Sequence, residues 1–583
     1  MTLHRLVPLI ALSLMLFAMP AVAQQAADTV APEAASGVEE KRLVRADKHM
    51  VAAAHPLAAE AGREILRAGG SAADALVAVQ TVLGLVEPQS SGLGGGAFLV
   101  WYDAASGTVT TFDGRETAPA AATPDLFLDD NGEPLPFFEA VVGGRSVGVP
   151  GVPRLMETIH GRAGKLPWAD VLAPAIELAE TGFAVTPRLH ALIAGDIGRL
   201  DGQDAARGYF FDAAGQPLAI GDTLRNPEYA ETLRALAAGG ADAFYSGPVA
   251  QALVETVRGH AANPGLLTPE DLASYRVVER EPVCAPYRGH EVCGMGPPSS
   301  GALTVGQILG LIAPFDLATL GPDDPESWRI IGDATRLAFA DRGRYMADSD
   351  FVSMPKGLLN PDYLKARGEL IRRPTALGDG EVSPGEPPWD RAELRLEGME
   401  FEQPATTHFV IVDEAGNIAS MTSSIENAFG SRLMSGGFLL NNQLTDFSFR
   451  PDESGEAVAN RVEAGKRPRS SMSPTIVLRD GKPLYALGSP GGATIIPYVA
   501  TRIIALVDWG MDMQAAIAMP HLANMFGRYD LEAGAQALAD DLEALGFTVS
   551  VRELNSGLHG VAIGATGLEG GADPRREGIA VGD

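Results

Sequence analysis

Residues 406–413, with the sequence TTHFVIVD, decide the fold of this chain. Apolar and β-branched residues fill the stretch and turn-forming residues follow it, so the pattern predicts a β-strand. Residues 418–424 have the same character and are predicted to form the returning strand. Upstream, residues 374–404 are rich in proline, glycine and charge, which is typical of a long exposed loop. A loop therefore meets a strand between Ala405 and Thr406, and we expect this peptide bond to be accessible to solvent.

Thr406 is a candidate nucleophile because of its place at the start of this strand. A threonine hydroxyl is a weak nucleophile until a base lies beside it. If the preceding bond is cut, the α-amine of the same residue, with a reference pKa of about 7.7–8.0, supplies that base near neutral pH. A threonine at the start of a strand is more often only structural, so this interpretation depends on other motifs.

Three further motifs follow the candidate nucleophile. They are LLNNQ at residues 439–443 leading to Asp446, RPRSSMSP at residues 467–474, and GSPGG at residues 488–492. Together with TTH at residues 406–408, they resemble the γ-glutamyltranspeptidases, and the resemblance covers nearly the whole chain. Members of that family are N-terminal-nucleophile (Ntn) hydrolases, made as one precursor that cleaves itself before the catalytic threonine.

The fold class has two sources. The residues themselves predict helices at 57–68, 72–87, 168–181 and 326–346, and strands at 97–102, 108–112, 475–478 and 484–487. This interleaved pattern indicates only a mixed α and β protein. The family resemblance implies more, namely an α+β fold built as a four-layer αββα sandwich. It also implies a large subunit of residues 24–405 and a small subunit of residues 406–583, both derived from one precursor.

The first 23 residues have the pattern of a signal peptide. His4 and Arg5 precede an apolar run at residues 6–18, and Ala-Val-Ala at residues 21–23 is a typical cleavage site. The apolar run is too short to span a bilayer. We therefore expect export to the periplasm or the outside, with no membrane span after the signal is removed.

Composition excludes several classes of function. A net charge of −29 over 583 residues argues against nucleic acid and anionic membranes as partners. Two cysteines without an H-E-x-x-H or C-x-x-C pattern indicate no metal site, and the chemistry implied by the resemblance needs no cofactor. Residues 92–97 match a dinucleotide-binding pattern, but a turn precedes them and an extended run follows, so we interpret these glycines as sites of backbone crowding.

The resemblance assigns a catalytic role to four residues. Thr406 is the nucleophile, and Ser424 takes the place of a threonine that hydrogen-bonds the nucleophile in relatives. Gly491 and Gly492 are assigned to the oxyanion hole, because consecutive glycines allow two N–H groups to converge. Taken without the resemblance, the two glycines indicate only a turn.

The resemblance also implies a clamp for both charges of an amino-acid head group. The α-carboxylate is expected to contact Arg115, Ser470 and Ser471, and the α-ammonium Gln443 and Asp446. A zwitterion held at both ends directs its side-chain carbonyl at the nucleophile. Taken alone, an arginine after a strand is more often solvated.

Two departures from the family pattern affect the expected specificity. Glu426 stands where the best-known transpeptidases have an asparagine, and its carboxylate either strengthens ammonium binding or repels the donor carboxylate. The segment 447–469 is shorter than the lid-bearing version of the family and contains no Tyr or Trp. We expect it to stay solvated, which leaves the site open to water. The alternative is that residues 374–404 cover the site.

The expected reaction is cleavage of γ-glutamyl amides such as glutathione through an ester on Thr406. The ester is released to water or to an amino acid or peptide acceptor, and we expect hydrolysis to predominate. One alternative is a cephalosporin or glutaryl acylase of the same fold, although Arg115 and Asp446 favour an amino-acid head. The other is an exported binding protein without catalysis, which the intact catalytic set disfavours.

Cys284 and Cys293 flank a predicted hairpin that turns near Arg288 and Gly289. A two-residue turn there places the cysteines directly opposite, and export permits a disulfide. A four-residue loop instead pairs Cys284 with Glu291. The sequence leaves both arrangements open.

Overall fold

A computed structural model describes residues 37–388, 405–453 and 455–583. The predicted signal peptide lies outside the described residues, as do positions 389–404 of the predicted loop. Residues 374–388 are mostly exposed or half-buried, in agreement with the prediction for that part of the loop. Among the described residues, no helix combines the length and apolar character needed to cross a bilayer.

The strands of the described residues are numbered in chain order. They are β1 (Val44–Ala46), β2 (Met50–Ala53), β3 (Gly96–Asp103), β4 (Thr108–Gly114), β5 (Phe183–Ala184), β6 (Thr223–Leu224), β7 (Val278–Arg280), β8 (Val283–Tyr287), β9 (His290–Gly294), β10 (Ala405–Val412), β11 (Ile418–Glu426), β12 (Met434–Ser435), β13 (Phe438–Leu439), β14 (Asp452–Glu453), β15 (Glu456–Ala457), β16 (Thr475–Arg479), β17 (Lys482–Gly488), β18 (Leu522–Ala523), β19 (Arg528–Leu531), β20 (Thr548–Val551), β21 (His559–Gly564), β22 (Gly567–Ala572) and β23 (Ile579–Gly582).

The α-helices of the same residues are numbered in the same way. They are α1 (Pro56–Arg67), α2 (Ala72–Val86), α3 (Phe137–Val141), α4 (Val152–Ala163), α5 (Trp168–Thr181), α6 (Pro187–Gly195), α7 (Ile197–Leu200), α8 (Asp204–Phe210), α9 (Pro227–Gly239), α10 (Asp242–Tyr245), α11 (Gly247–Arg258), α12 (Pro269–Ser274), α13 (Gly301–Ile312), α14 (Leu317–Leu320), α15 (Pro325–Tyr345), α16 (Pro361–Gly368), α17 (Ile495–Val507), α18 (Met513–Ala518) and α19 (Ala539–Ala544). The predicted helices and strands all occur, with bounds that differ by at most two residues.

Two seven-stranded sheets form the centre of the molecule. The strand order is β23-β2-β10-β11-β3-β4-β7 in the first sheet and β1-β22-β21-β17-β16-β9-β8 in the second. Neighbouring strands in both sheets are antiparallel. Each sheet mixes strands from before and after position 405, so cleavage there would leave two chains interlocked by strand pairing.

Apolar side chains on both faces of the sheets build four layers. Phe409 and Ile411 of β10 face a core shared with helices α1, α2, α4 and α5. Val410 and Val412 of the same strand face the second sheet. The far side of the second sheet packs on α13, α15 and α17. Because side chains alternate along a strand, this one apolar segment contributes to two cores. The predicted αββα sandwich is confirmed.

Local signals explain where the buried helices begin. Ser71 caps α2 in a reciprocal capping box with Asp74, and every residue of this apolar helix is buried. Asp324 caps α15, and Pro325 occupies its first turn, as the sequence predicts. Both helices therefore begin at a polar side chain that caps the first turn.

The cysteine hairpin takes the two-residue form. Arg288 and Gly289 have φ angles of 51° and 77°, which a turn of this kind requires. Cys284 therefore pairs with Cys293, and the two are joined by a disulfide with a Cα–Cα distance of 4.1 Å. The alternative pairing of Cys284 with Glu291 is wrong, because it needs a longer loop than the chain forms.

The expectation that residues 447–469 stay solvated is wrong for most of the segment. Phe449 is buried and stacks on Phe127 with ring centroids 4.7 Å apart. Asn460 is also buried, and its side chain donates to the Asp446 carbonyl at 2.7 Å. Among the described residues of the segment, positions 450, 452, 453, 455, 456, 464 and 465 are exposed. The expectation came from the acidic tip of the segment, whereas most of its apolar residues lie outside that tip and are buried.

Candidate active site

Thr406 is the second residue of β10, at the interface between the two sheets. The alternation of the strand places its side chain on the same face as His408 and Val410, towards the second sheet. Gly488, the last residue of β17, contacts the His408 ring so closely that a Cβ there would lie 2.4 Å from Cε1. The loop that follows β17 is thus held close to the nucleophile.

A chain of hydrogen bonds connects the Thr406 hydroxyl to the peptide bond before it. Thr406 Oγ1 donates to Ser424 Oγ at 3.1 Å, and Ser424 Oγ donates to the Ala405 carbonyl oxygen at 3.0 Å. The N–H of Glu426 donates to Ser424 Oγ at 2.9 Å. The β10–β11 register places Thr406 opposite Ser424, with an irregularity between Ala405 and Thr406. The predicted pairing of these two hydroxyl groups is present.

The bond between Ala405 and Thr406 is buried, so the expectation of solvent access is wrong. Ala405 is fully buried and the exposed fraction of Thr406 is 4%. Both residues are part of a central strand with partners on each side. An external protease cannot reach such a bond, whereas the neighbouring hydroxyl groups of the chain can.

Gly491 and Gly492 follow β17 at the mouth of the site. Their φ angles are +142° and +57°, which a side chain would oppose. Thr494 fixes the turn, because its hydroxyl and its N–H donate to the Gly491 carbonyl at 2.6 Å and 3.2 Å. Among the described residues, no acceptor is bound to the N–H of either glycine. These donors suit an oxyanion.

A small cavity brings together the predicted site residues other than Gly491. Of the two predicted glycines, Gly492 lines this cavity and Gly491 precedes it in the chain. Its lining residues are Arg115, Thr406, Ser424, Glu426, Gln443, Asp446, Ser470, Ser471, Met472, Gly492 and Ile495. Sequence reasoning missed Met472 and Ile495, although Met472 directly follows the predicted serine pair.

Arg115 and Asp446 form a buried ion pair in this cavity. Gln443 Nε2 donates to the same carboxylate at 2.9 Å. The guanidinium is held further by the carbonyls of Pro468 and Arg469, at 3.2 Å and 2.9 Å. Buried charges of this kind are stable only when paired and hydrogen-bonded, so both side chains are rigidly placed.

The next residue after Arg115 carries a second buried carboxyl group. Glu116 is fully buried, with Oε2 3.9 Å from Arg115 Nη1. Burial raises the pKa of Glu116 to about 8, although Arg115 acts in the opposite direction. Glu116 is therefore largely protonated at neutral pH, and Asp446 is the main counter-charge of Arg115.

The serine pair is supported from helix α15. Arg342 Nη2 donates to Ser471 Oγ at 2.9 Å, and Arg342 Nε donates to Ser300 Oγ at 2.8 Å. The N–H of Ser300 donates to the Ser470 carbonyl at 2.7 Å. No local motif indicates this role for Arg342, since its partners are distant in sequence.

Glu426 adds a second carboxylate to the cavity wall. Its φ angle is +76°, and Asn442 Nδ2 donates to its Oε2. Among the described lining residues, Glu426 and Asp446 are acidic and Arg115 is basic. The cavity therefore favours a ligand that carries a positive charge on the Glu426 side.

Similarity to known proteins agrees with this geometry. The family model for gamma-glutamyltranspeptidase matches residues 58–583. The chain is 38% identical to a glutathione hydrolase proenzyme of Bacillus subtilis, covering 91% of both chains, and 36% identical to one of Escherichia coli, covering 94% of both. A cephalosporin acylase from Bacillus halodurans superposes with a TM-score of 0.82 at 27% identity, over 95% of this chain and 99% of the acylase.

The two stacked sheets, with a threonine hydroxyl between them at the start of a central strand, define an N-terminal-nucleophile hydrolase fold. Within that class, the chain belongs to the γ-glutamyltranspeptidase family.

Proposed function

We propose that the protein is exported and cleaves itself into an active γ-glutamyl hydrolase and transferase that acts on glutathione and related γ-glutamyl amides. The observation that carries this proposal is the hydrogen-bond chain from Thr406 Oγ1 through Ser424 to the Ala405 carbonyl. Relatives named glutathione hydrolase proenzymes support the reaction and the precursor form.

Self-cleavage follows from the direction of these hydrogen bonds. Thr406 Oγ attacks the Ala405 carbonyl carbon and passes its proton to Ser424 Oγ, while Ser424 passes its own proton to the carbonyl oxygen. When the C–N bond breaks, the proton moves to the departing nitrogen, and the Ala405 acyl group is an ester on Thr406. Water then releases the Ala405 carboxylate and leaves a free α-amine on Thr406.

In turnover, the free α-amine takes the hydroxyl proton as Thr406 Oγ attacks the γ-carbonyl of the donor. The N–H groups of Gly491 and Gly492 stabilise the oxyanion, and such donors typically contribute about 100-fold or more to kcat. The amine returns the proton to the leaving nitrogen. Water or an amino acid or peptide acceptor then attacks the γ-glutamyl ester.

The donor head group is proposed to bind between Arg115 and Asp446. Its carboxylate contacts Arg115, Ser470 and Ser471, and its ammonium contacts Gln443, Asp446 and Glu426. In the precursor the two charged side chains are paired with each other, and a zwitterion offers each of them a second partner of opposite sign. Glu426 strengthens the ammonium side.

An acylase is the second candidate, because one of the similar solved structures is a cephalosporin acylase. Acyl groups without an ammonium leave Glu426 and Asp446 without a cation from the ligand. Matched γ-glutamyl and glutaryl anilides distinguish the two functions. We expect a preference of about 100-fold or more for the γ-glutamyl compound, equivalent to a single lost charged contact of about 3 kcal/mol. A preference for glutaryl would assign the acylase.

Intact-mass measurement of purified protein tests the precursor and export proposals. We expect one chain ending at Ala405 and one beginning at Thr406, and a large subunit that starts at Gln24. A single uncleaved chain from Gln24 to Asp583 without activity would instead favour an exported binding protein.

Hydrolysis is predicted to predominate over transfer at neutral pH. Asn460 of the segment 447–469 holds the Asp446 carbonyl. Among the described residues, however, no aromatic side chain lines the cavity. Water therefore reaches the ester unless an acceptor competes at high concentration. Product partitioning with glutathione as donor and glycylglycine as acceptor measures this. Diversion of most γ-glutamyl groups by low-millimolar acceptor would contradict the prediction.

A further inference from the structure

We propose that Arg576 is a positioning residue for the nucleophile: its guanidinium holds the Thr406 carbonyl, and its charge favours the unprotonated α-amine that acts as the base. The inference rests on the proposed function, since it requires that Thr406 becomes the N-terminal residue. It concerns a side chain that comes from the far end of the sequence and does not line the substrate cavity.

Arg576 contacts the nucleophile residue directly. It is buried, and its Nη1 donates to the Thr406 carbonyl oxygen at 3.1 Å. The stem of the side chain packs against Gly557, where a Cβ would lie 2.9 Å from Arg576 Cδ and 3.0 Å from Nε. A side chain larger than hydrogen at position 557 would displace the guanidinium.

The segment around Arg576 is fixed by the buried carboxylate of Asp573. This carboxylate accepts hydrogen bonds from the Ser556 hydroxyl, from Leu558 N at 2.8 Å and from Arg575 Nη1 at 3.1 Å. Arg575 and these hydrogen bonds hold the pKa of Asp573 below its ordinary value, against the effect of burial. Asp573 thus fixes the residue before Arg576, whose own Nη1 donates to the Thr406 carbonyl.

The other ionisable groups around Thr406 do not supply this positive charge. Burial lowers the pKa of His408 well below its ordinary value and that of His559 to about 3, so both rings are neutral at pH 7. On the cavity side lie Arg115, paired with Asp446, and the carboxylate of Glu426. Behind the site, Lys41 and Arg575 surround Asp573.

The position of the guanidinium determines the sign of its effect. Carbonyl and amine belong to the same residue, so a guanidinium on the carbonyl oxygen lies within about 6 Å of the amine. A cation at that distance disfavours the ammonium form by about 0.5–1 pH unit. Glu426, Asp446 and the net charge of −29 act in the opposite direction. Arg576 offsets them and keeps the base available near neutral pH.

The test compares Arg576→Gln, which keeps a hydrogen-bond donor without the charge, with Arg576→Lys, which keeps the charge. The measurement is kcat/KM against pH with a γ-glutamyl anilide on fully cleaved enzyme. We expect the acid-limb midpoint of the Gln variant to rise by about 0.5–1 pH unit, with activity recovering at higher pH, and that of the Lys variant to stay near wild type. Arg258→Gln is the charge-matched control, because Arg258 is exposed and donates to the Leu267 carbonyl.

Three results would overturn the inference: an unshifted acid limb in the Gln variant, equal shifts in the Gln and Lys variants, or failure of both to cleave. A folded Gln variant that stays uncleaved beside a cleaved Lys variant supports it, since the charge is then needed in the precursor as well. Failure of the proposed function is distinct, because wild-type protein would then remain uncleaved.

Discussion

The hairpin β10–β11 and the hairpin β8–β9 are both antiparallel, but they are stabilised in different ways. The first lies at the centre of a sheet, and every residue of its strands is buried. The second lies at the edge of the other sheet, leaves Cys284, Pro286 and Glu291 exposed, and carries the disulfide. A central hairpin is fixed by packing on two faces, whereas an edge hairpin gains from a covalent link.

This difference explains where the chemistry is located. A nucleophile and its hydrogen-bond partner must keep a fixed geometry, and cross-strand neighbours at the centre of a sheet provide it. Thr406 and Ser424 are such neighbours. Substitutions in β10–β11 should therefore abolish the reaction, whereas substitutions in β8–β9 should cause only small losses of stability.

The largest effect is expected from Thr406→Ala. The variant should remain a single chain without activity, because the same hydroxyl serves cleavage and turnover. Thr407→Val is the matched control. The Thr407 side chain lies on the face of β10 opposite to Thr406, and its hydroxyl has no hydrogen-bond partner among the described residues. Intact-mass measurement shows whether each of the two variants is cleaved. Splitting of Thr406→Ala between positions 405 and 406 would show that Thr406 is not the nucleophile.

Ser424→Ala should slow self-cleavage by about 100-fold or more, because the Ala405 carbonyl loses the donor that stabilises developing charge. Ser424→Thr keeps the hydroxyl and should cleave at a rate close to wild type. Disappearance of the precursor band over time on a denaturing gel gives both rates. Equal rates for the Ala variant and wild type would remove Ser424 from the mechanism.

Truncation of core side chains should distinguish the two hairpins by stability. Phe409→Ala leaves a cavity at the centre of a packed layer and should cost about 3–5 kcal/mol of unfolding free energy. Val283→Ala in the half-buried edge strand should cost about 1 kcal/mol. Denaturant unfolding of the Thr406→Ala precursor, a single chain, provides the comparison. Similar costs at the two positions would contradict the proposed difference in packing.

A smaller loss of stability than that of Phe409→Ala is expected from replacing both cysteines with serine. The disulfide closes a loop over a sequence separation of nine, so its loss should cost about 2 kcal/mol and leave activity unchanged. Thiol counting under denaturing, non-reducing conditions should find no free thiol in wild type. Two free thiols, or a loss of catalysis in the double variant, would show that the edge hairpin acts differently.

Local pattern was sufficient for much of this molecule. Strand β10 was predictable from its β-branched and apolar residues, and helix α2 from the capping box at Ser71. The motif at residues 439–446 indicated residues that do line the cavity. These features depend on neighbours in sequence, where residue type and spacing carry the information directly.

Contacts between distant segments were not predictable in the same way. The sequence does not show that the bond before Thr406 is buried, because burial depends on which strands flank β10. The residues of segment 447–469 pack against side chains more than 300 positions away, and composition does not record such partners. For the same reason no motif indicates Arg342 behind Ser471.

Residue order alone thus established the candidate nucleophile, the strands and helices around it and the family to which they correspond, because each depends on local spacing. Only the packing of the two sheets determined that Ser424 bridges Thr406 to the Ala405 carbonyl and that Arg576 reaches the same residue from 170 positions away. Hydrogen bonds at about 3 Å require strand register and layer contacts that the whole chain must form together.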